Sequence, residues 1–455
     1  MYNFILAYRK AQRMNSSLIL QQLPTVNPDI SVSANGNLEF CGIDTTTLAK
    51  KYGTPMFLMS EDRIRYNCSF HKKMLNKYFG KNAQVAFASK AMSCKQLYRI
   101  LSDEDMYADV VSSGELYTAV SAGFNAAHLI FHGNNKTEND IRFAIDQGIG
   151  LFAADNAFEL DNINKIAEEK GIRQPLIIRV TPGIDPHTHE KINTGKIDSK
   201  FGSPIANGQA EDIIKYALSL KSVNVMGVHY HIGSQITEAA PFIDALENVL
   251  EFLRLMRERL GFTAKIINIG GGFGIRYTED TEKTPYDAIF SALSARLSSF
   301  CNKIQYPTPT IITEPGRSIV ADAGITLYTA GSIKNIPGYK TYLSVDGGMT
   351  DNPRFALYNA PYTAVIANKA ATAATTTYSI VGKCCESGDI LIPEAELAQA
   401  ESGDIVAILN TGAYNYSMSS NYNRIPRPPV IMVHDGKDYV AVKRETFEHM
   451  TSLDN

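Results

Sequence analysis

Residues 266–274 read Ile-Ile-Asn-Ile-Gly-Gly-Gly-Phe-Gly, a short apolar run that breaks into glycine. The next apolar run, Thr310 to Arg317, ends in Glu314-Pro315-Gly316-Arg317, and amphipathic sequence lies between the two. The same theme extends backwards through Gln84 to Lys90, Ala108 to Ser113, His128 to Asn134, Gly150 to Asp155, Leu176 to Pro182 and Val225 to Ser234, which makes eight runs. The intervening stretches, for example Glu138 to Gln147, Ala157 to Lys170 and Pro241 to Leu260, place apolar residues three and four apart and predict helices. Eight strand-helix units over about 230 residues close a (β/α)8 TIM barrel more readily than they form an open doubly wound sheet.

In a barrel the chemistry sits at the C-terminal ends of the strands. The polar clusters fall there: Ser89-Lys90, Ser112-Ser113, His132-Gly133-Asn134, Asp155, Arg179, His229 to Ser234, Gly270 to Gly272 and Glu314 to Arg317. After Arg317 the texture changes to short β-rich runs such as Tyr342 to Val345, Tyr378 to Val381, Ile405 to Leu409, Val430 to Val433 and Tyr439 to Val442. This predicts a barrel over residues 56–317 and a C-terminal β-sandwich or Greek-key domain over residues 318–455, joined by residues 30–55, which also have β and turn character.

At roughly 150 residues per domain, 455 residues make about three units, or two if one is a large barrel. With 44 Lys and Arg against 47 Asp and Glu, the chain has no polybasic field for nucleic acid or anionic lipid. No apolar run approaches the roughly 20 residues needed to span a bilayer. Six cysteines without a C-x-x-C, two of them adjacent as Cys384-Cys385, suit a reducing compartment, so the expected location is the cytoplasm. Residues 1–28 carry Arg9, Lys10 and Arg13 but no acid. Their apolar run, Phe4 to Tyr8, is too short for a secretory signal, and the expectation is an unstructured leader or an over-extended start, with Met14 as an alternative initiator.

Loops after the seventh and eighth strands are the usual barrel phosphate site, because glycines let backbone N–H groups approach the oxygens. Taken alone, Gly270 to Gly274 would also fit a tight turn. Lys90, at the end of the first strand, is a candidate Schiff-base lysine, since a lysine in a barrel mouth is expected to be desolvated and so to present its neutral amine. A phosphate site and an imine lysine on one barrel face together point to pyridoxal 5'-phosphate. His229 and His231, two apart near the sixth strand's end, are expected to share a side, with the His231 ring free to stack on a planar cofactor. Nothing calls for a metal.

Lys90 in its Ser-Lys-Ala context, His231-Ile232-Gly233-Ser234-Gln235, Gly270 to Gly274, Glu314-Pro315-Gly316-Arg317, Cys385-Glu386-Ser387-Gly388-Asp389 and Gly412-Ala413-Tyr414 occur in the order seen in the diaminopimelate decarboxylases, which this sequence resembles from about residue 40 to 445. It departs from that pattern in reading Phe-Ala-Ser-Lys-Ala-Met around Lys90, where many members have a Tyr and an Asn. The resemblance implies a fold-type III pyridoxal phosphate enzyme, with an alanine-racemase-like barrel and a C-terminal β domain. It implies that Lys90 carries the cofactor and that Glu314 pairs with the pyridine nitrogen. The phosphate would be held by Gly270, Gly271, Gly272, Gly316, Arg317, Ser234 and the Tyr414 hydroxyl. For the substrate it implies that Arg317, Arg354 and Tyr358, with Tyr414 nearby, grip a distal carboxylate, that Glu386 pairs with the distal ammonium, and that Cys385 is the proton donor. It further implies that Cys385 and Glu386 reach into a partner subunit's barrel, making the active unit a homodimer that acts on a small amino acid.

The expected reaction is decarboxylation of meso-2,6-diaminopimelate to L-lysine, the last step of lysine biosynthesis. Decarboxylases of ornithine, arginine or carboxynorspermidine are the alternatives, but none of those substrates has a distal centre with both an ammonium and a carboxylate. Two readings stand outside that class. A racemase of this fold needs a Tyr acid where Cys385-Glu386 stands, and a catalytically dead homologue would have lost Lys90 or the phosphate residues.

Overall fold

A computed structural model describes residues 23, 25–184 and 199–455 of the chain. They form two compact units: a barrel unit of residues 65–274 and 283–318, and a sheet unit that takes residues up to 64, 275–282 and 319–455.

The barrel unit contains eight parallel strands: β1 (Gln84–Ala88), β2 (Tyr107–Val110), β3 (Leu129–Phe131), β4 (Leu151–Ala154), β5 (Gln174–Thr181), β6 (Val223–His229), β7 (Ile266–Asn268) and β8 (Thr310–Thr313). Each pairs with the next, and β8 returns to β1 with Ile312 opposite Gln84 and Thr313 opposite Val85, so the sheet closes. Ala86, Ile130, Leu151, Ala153, Ile177 and Ile312 pack together as one apolar cluster of these strands. The predicted helices are found as Glu138–Asp146, Ala157–Glu169 and Ala240–Leu260. Their ends follow from the sequence: Thr137 and Asp140 form a capping box at the first, and Gly261, left-handed at φ 66°, closes the third. The third helix buries Phe242, Ala245, Leu246, Val249, Leu250, Leu253 and Met256 at three- and four-residue spacing. Each of the large side chains among them contributes about 1.5–3 kcal/mol relative to exposure.

The strands stop sooner than the apolar runs. β6 ends at His229, so His231 lies two residues beyond it, in a loop where strand alternation does not set side-chain direction. The reason is the glycine and polar sequence that follows, whose backbone leaves the ladder: Tyr230 N–H still reaches Asn268 O, at 3.0 Å, but the strand pairing is over.

The sheet unit has a small sheet of Ile30–Val32, Leu38–Phe40 and Ile43–Asp44, and a second one of nine strands. The long strand Gly324–Ile336 organises the second, pairing with Met56–Ser60, Ile405–Leu409 and Lys340–Val345. Its side chains feed two different cores. Ile325 and Leu327 join Leu38, Phe40, Leu58 and Ile431, whereas Tyr328 and Ala330 join Leu343, Ile380 and Ile392. Alternation along one strand buried on both faces produces that division.

Two boundaries differ from the sequence reading. Met56–Ser60, counted there with the barrel, is a fully buried strand of the sheet unit, antiparallel to Gly324–Ile336 and parallel to Val430–His434. An apolar run of four, Met56 to Met59, does not reveal which sheet it will join. Of the expected leader, residues 1–22 and 24, Met14 included, lie outside the described residues. Leu23, Val26 and Asn27 are buried, and the Asn27 side-chain amide donates to Asp322 O and to Asn410 Oδ1, both at 3.0 Å. The sheet unit's core therefore begins inside the stretch read as leader. Among the described residues no helix is long and apolar enough to cross a membrane.

Candidate active site

Glu314 follows β8 and is buried at the C-terminal end of the barrel. Three neighbours aim donors at it. His132, just past β3, donates from Nε2 to Oε1 at 2.7 Å; Asn268, the last residue of β7, donates to Oε1 at 2.6 Å; and His229, the last residue of β6, donates from Nε2 to Oε2 at 3.1 Å. Burial opposes ionisation of Glu314, but the two imidazoles outweigh it and hold the carboxyl well below the usual range. Burial likewise pushes His229 down to about 3 despite the neighbouring carboxylate, so its ring is neutral.

Beside this cluster the loop after β7 packs backbone against backbone. A methyl on Gly271 would stand 2.1 Å from Glu314 O, and one on Gly270, left-handed at φ 67°, would stand 2.5 Å from Tyr230 O. No residue but glycine fits there. The Gly270 N–H already donates to Asn268 Oδ1 at 3.0 Å and the Gly271 N–H to His231 Nδ1 at 3.2 Å. His231 therefore accepts through Nδ1. Burial, aided by the Lys90 charge, holds its pKa well below the ordinary value, and the neutral ring carries its proton on Nε2. The Arg317 guanidinium donates to Ser234 Oγ at 2.9 Å, which brings together two residues assigned to the phosphate.

Lys90 lies in the one-turn helix Ser89–Ala91 that follows β1. Asp109 on β2 fixes that turn, its Oδ1 accepting the Ser89 N–H at 2.9 Å. Burial, with Glu314 nearby, raises Asp109 to about 6. Lys90 itself is exposed, so the desolvation expected of it is not supplied by these residues.

This donor set fits a phosphorylated pyridine. A carboxylate has about four lone-pair sites, and Glu314 uses three, which leaves one for a protonated ring nitrogen. Ser234 and Arg317 present donors suited to a dianion, as do the Gly272 and Gly316 N–H groups, which have no hydrogen-bond partner among the described residues.

In the sheet unit, Arg354 opens the helix Arg354–Tyr358 and is buried. It donates to Tyr277 Oη at 2.8 Å, and its guanidinium lies 5.4, 5.9 and 5.8 Å from the rings of Tyr277, Tyr362 and Tyr414. Its Nε is buried without a partner, and among the described residues it forms no ion pair with a carboxylate. Tyr358 ends the same helix half-buried, and Tyr414 holds a left-handed backbone at φ 60°. Cys385 and Glu386 sit elsewhere, on an exposed turn. Cys385 N–H donates to Asn423 Oδ1 at 2.8 Å, and the Glu386 carboxylate accepts from Gly388 N–H at 3.3 Å. Burial, with Asp389 beside it, pushes the neighbouring Cys384 thiol up to about 11.

His132, Asn268, Asp109, Tyr277 and Tyr362 were not singled out individually from sequence. A signal existed for Asn268, an amide inside the apolar run Ile-Ile-Asn-Ile, because a buried polar side chain needs partners. None existed for Tyr277 or Tyr362.

The family described as "Pyridoxal-dependent decarboxylase, pyridoxal binding domain" matches residues 62–321. The diaminopimelate decarboxylase of Bacillus subtilis (strain 168) is 45% identical over 421 residues, covering 92% of this chain and 95% of the relative. The crystal structure of diaminopimelate decarboxylase from M. jannaschii in co-complex with L-lysine superposes with a TM-score of 0.86 at 35% identity, over 94% of this chain and 98% of that one. A lysine/ornithine decarboxylase from Vibrio vulnificus, complexed with putrescine, has a TM-score of 0.72 at 22% identity over 86% of this chain and 97% of that one, which shows a shared fold only. The eight-stranded barrel and the extent of these matches place the chain in the diaminopimelate decarboxylase family of pyridoxal-dependent decarboxylases.

Proposed function

We propose that this chain binds pyridoxal 5'-phosphate at the C-terminal end of its barrel and decarboxylates meso-2,6-diaminopimelate to L-lysine and CO2. When bound, the cofactor supplies an electron sink for the pair left behind by the departing carboxylate. The chain's own residues do the rest. Lys90 is the residue that would hold the cofactor covalently. Glu314, kept ionised by its three donors, holds a proton on the ring nitrogen. His231, a neutral imidazole, would offer its ring to the planar cofactor. Ser234, Arg317 and Tyr414, with backbone N–H groups of the loops after β7 and β8, hold the phosphate. Arg354 and Tyr358 take the distal carboxylate, Glu386 the distal ammonium, and Cys385 delivers a proton to the carbon that has lost CO2.

The observation that carries the substrate assignment is Arg354: a buried guanidinium, unmatched by any carboxylate among the described residues and with Nε unpartnered, fits a ligand that brings its own carboxylate. Ornithine and arginine bring none at that end. The exposure of Cys385 and Glu386 supports a homodimer in which a second copy receives them. Six free cysteines support a cytoplasmic location. The test is CO2 release by the purified holoenzyme from meso-diaminopimelate, ornithine and arginine. Release from diaminopimelate alone is expected; preference for either of the others would overturn the assignment.

A further inference from the structure

Asp389 closes the turn that carries Cys385 and Glu386, and it is buried. Its carboxylate reaches two separate segments. Oδ2 accepts the Cys384 N–H at 2.7 Å, and Oδ1 accepts the Met349 N–H at 2.6 Å. Both segments close tightly on it. A methyl on Gly382 would stand 2.2 Å from Oδ2, and one on Gly348 would stand 2.6 Å from it, its three nearest atoms all belonging to this carboxylate. Two backbone bonds, Gly382 N–H to Asp389 O and Lys383 N–H to Gly347 O, both 3.0 Å, complete the junction. From Gly348 the path to Arg354 is short: Gly348 O accepts the Asn352 N–H at 2.9 Å, and Asn352 Oδ1 accepts the Arg354 N–H at 3.4 Å. Asp389 has no cationic partner among the described residues, so backbone N–H groups answer its charge.

We propose that Asp389 is a positioning residue that clasps the Cys385-Glu386 turn to the loop leading into the Arg354 helix, fixing the proton donor in place through Cys384. The proposal rests on the reading of Cys385 given above. Asp389→Asn keeps the shape but turns an amide NH2 toward an N–H donor, leaving one arm of the clasp unmade. It should lower kcat about tenfold, the scale of coupling between residues in contact, with cofactor absorbance unchanged. It should also change the rate at which iodoacetamide alkylates Cys385. In a Cys385→Ala background the same substitution should cost nothing further, because its effect passes through the thiol. Equal loss in both backgrounds overturns the clasp and leaves Asp389 a fold residue only. If Asp389→Asn does not fold, Gly348→Ala presses a methyl on the same carboxylate and should reproduce the pattern. Full turnover in Cys385→Ala alone would sink the reading of Cys385 instead, and an unaltered alkylation rate in Asp389→Asn would then overturn the clasp separately.

Discussion

Glu314 and Arg354 are both buried charged side chains, one in each unit, and their surroundings treat them differently. Glu314 receives two imidazoles and an amide from the ends of strands of its own barrel and the residue just past one of them. Arg354 receives one tyrosine hydroxyl and three ring faces, and keeps a buried donor unmade. A charge answered from within is preorganised and holds its state whether or not anything binds. A charge left open costs desolvation until a ligand completes it. The Glu314 cluster of the barrel unit is built on the first principle and the Arg354 cluster of the sheet unit on the second.

The comparison is broken most severely at Lys90. Lys90→Ala should abolish the covalent link and the yellow absorbance it gives, leaving turnover undetectable. Borohydride reduction of the native holoenzyme and peptide mapping should find the label on Lys90, and label on another lysine would refute its role. Next in size, Cys385→Ala should retain the cofactor and lose a factor of about 100 to 10,000 in kcat, the scale of a positioned general acid. Arg354→Ala should act on KM: losing one partner of a buried charge pair costs about 3–5 kcal/mol, which at 1.4 kcal/mol per tenfold is roughly two orders of magnitude or more. Unchanged KM for diaminopimelate would show that the open guanidinium is not a carboxylate site.

A smaller effect appears in stability against pH and separates the units. His71 and His229, both buried in the barrel unit, have pKa values pushed down to about 3 by burial. A depressed histidine keeps its contribution above the unfolded value near 6.5 and loses it as pH falls from there toward 3. In the sheet unit burial raises Asp351 to about 7, so the native state holds a proton the unfolded chain has shed, and this group favours folding increasingly as pH falls from about 7 toward 3.8. Chemical denaturation from pH 7 to 4.5 should find that His229→Gln removes part of the acid destabilisation while Asp351→Asn removes a compensating gain. Curves of identical slope for wild type and both variants would contradict the assignments. Smallest of all, Cys384→Ala should leave kcat and KM within a factor of about two, the level at which surface-like substitutions act.

The barrel was legible because its pattern is local. Each apolar run is followed by a helical period, and the count of eight closes the sheet. Lys90, Glu314 and the glycines of residues 270–272 were legible because they fall at run ends, where barrel chemistry lies. What escaped depends on pairing between distant segments. His132 and Asn268 gain meaning only when β3, β7 and β8 bring them to Glu314, 182 and 46 residues away in sequence. Tyr277 lies just after the barrel's seventh strand yet belongs to the sheet unit's core, and nothing in its neighbourhood announces that. The desolvation expected for Lys90 was a statement about environment, which sequence does not carry, and the side chain is exposed.

The strand Met56–Ser60 has a bearing on how the chain is made. Its antiparallel neighbour begins at Gly324 and its parallel neighbour at Val430, so a ribosome must add more than 260 residues before the first of them exists. At about 5–20 residues per second that is a wait of roughly ten to fifty seconds for a five-residue, mostly apolar strand with open edges, the condition under which nascent strands stick to the wrong partner. The barrel, whose strands follow one another closely, can assemble during that interval. Slowed synthesis or loss of chaperone support should therefore strike the sheet unit first, and truncation before Val430 should leave this strand without one of its edges even when every barrel residue is present.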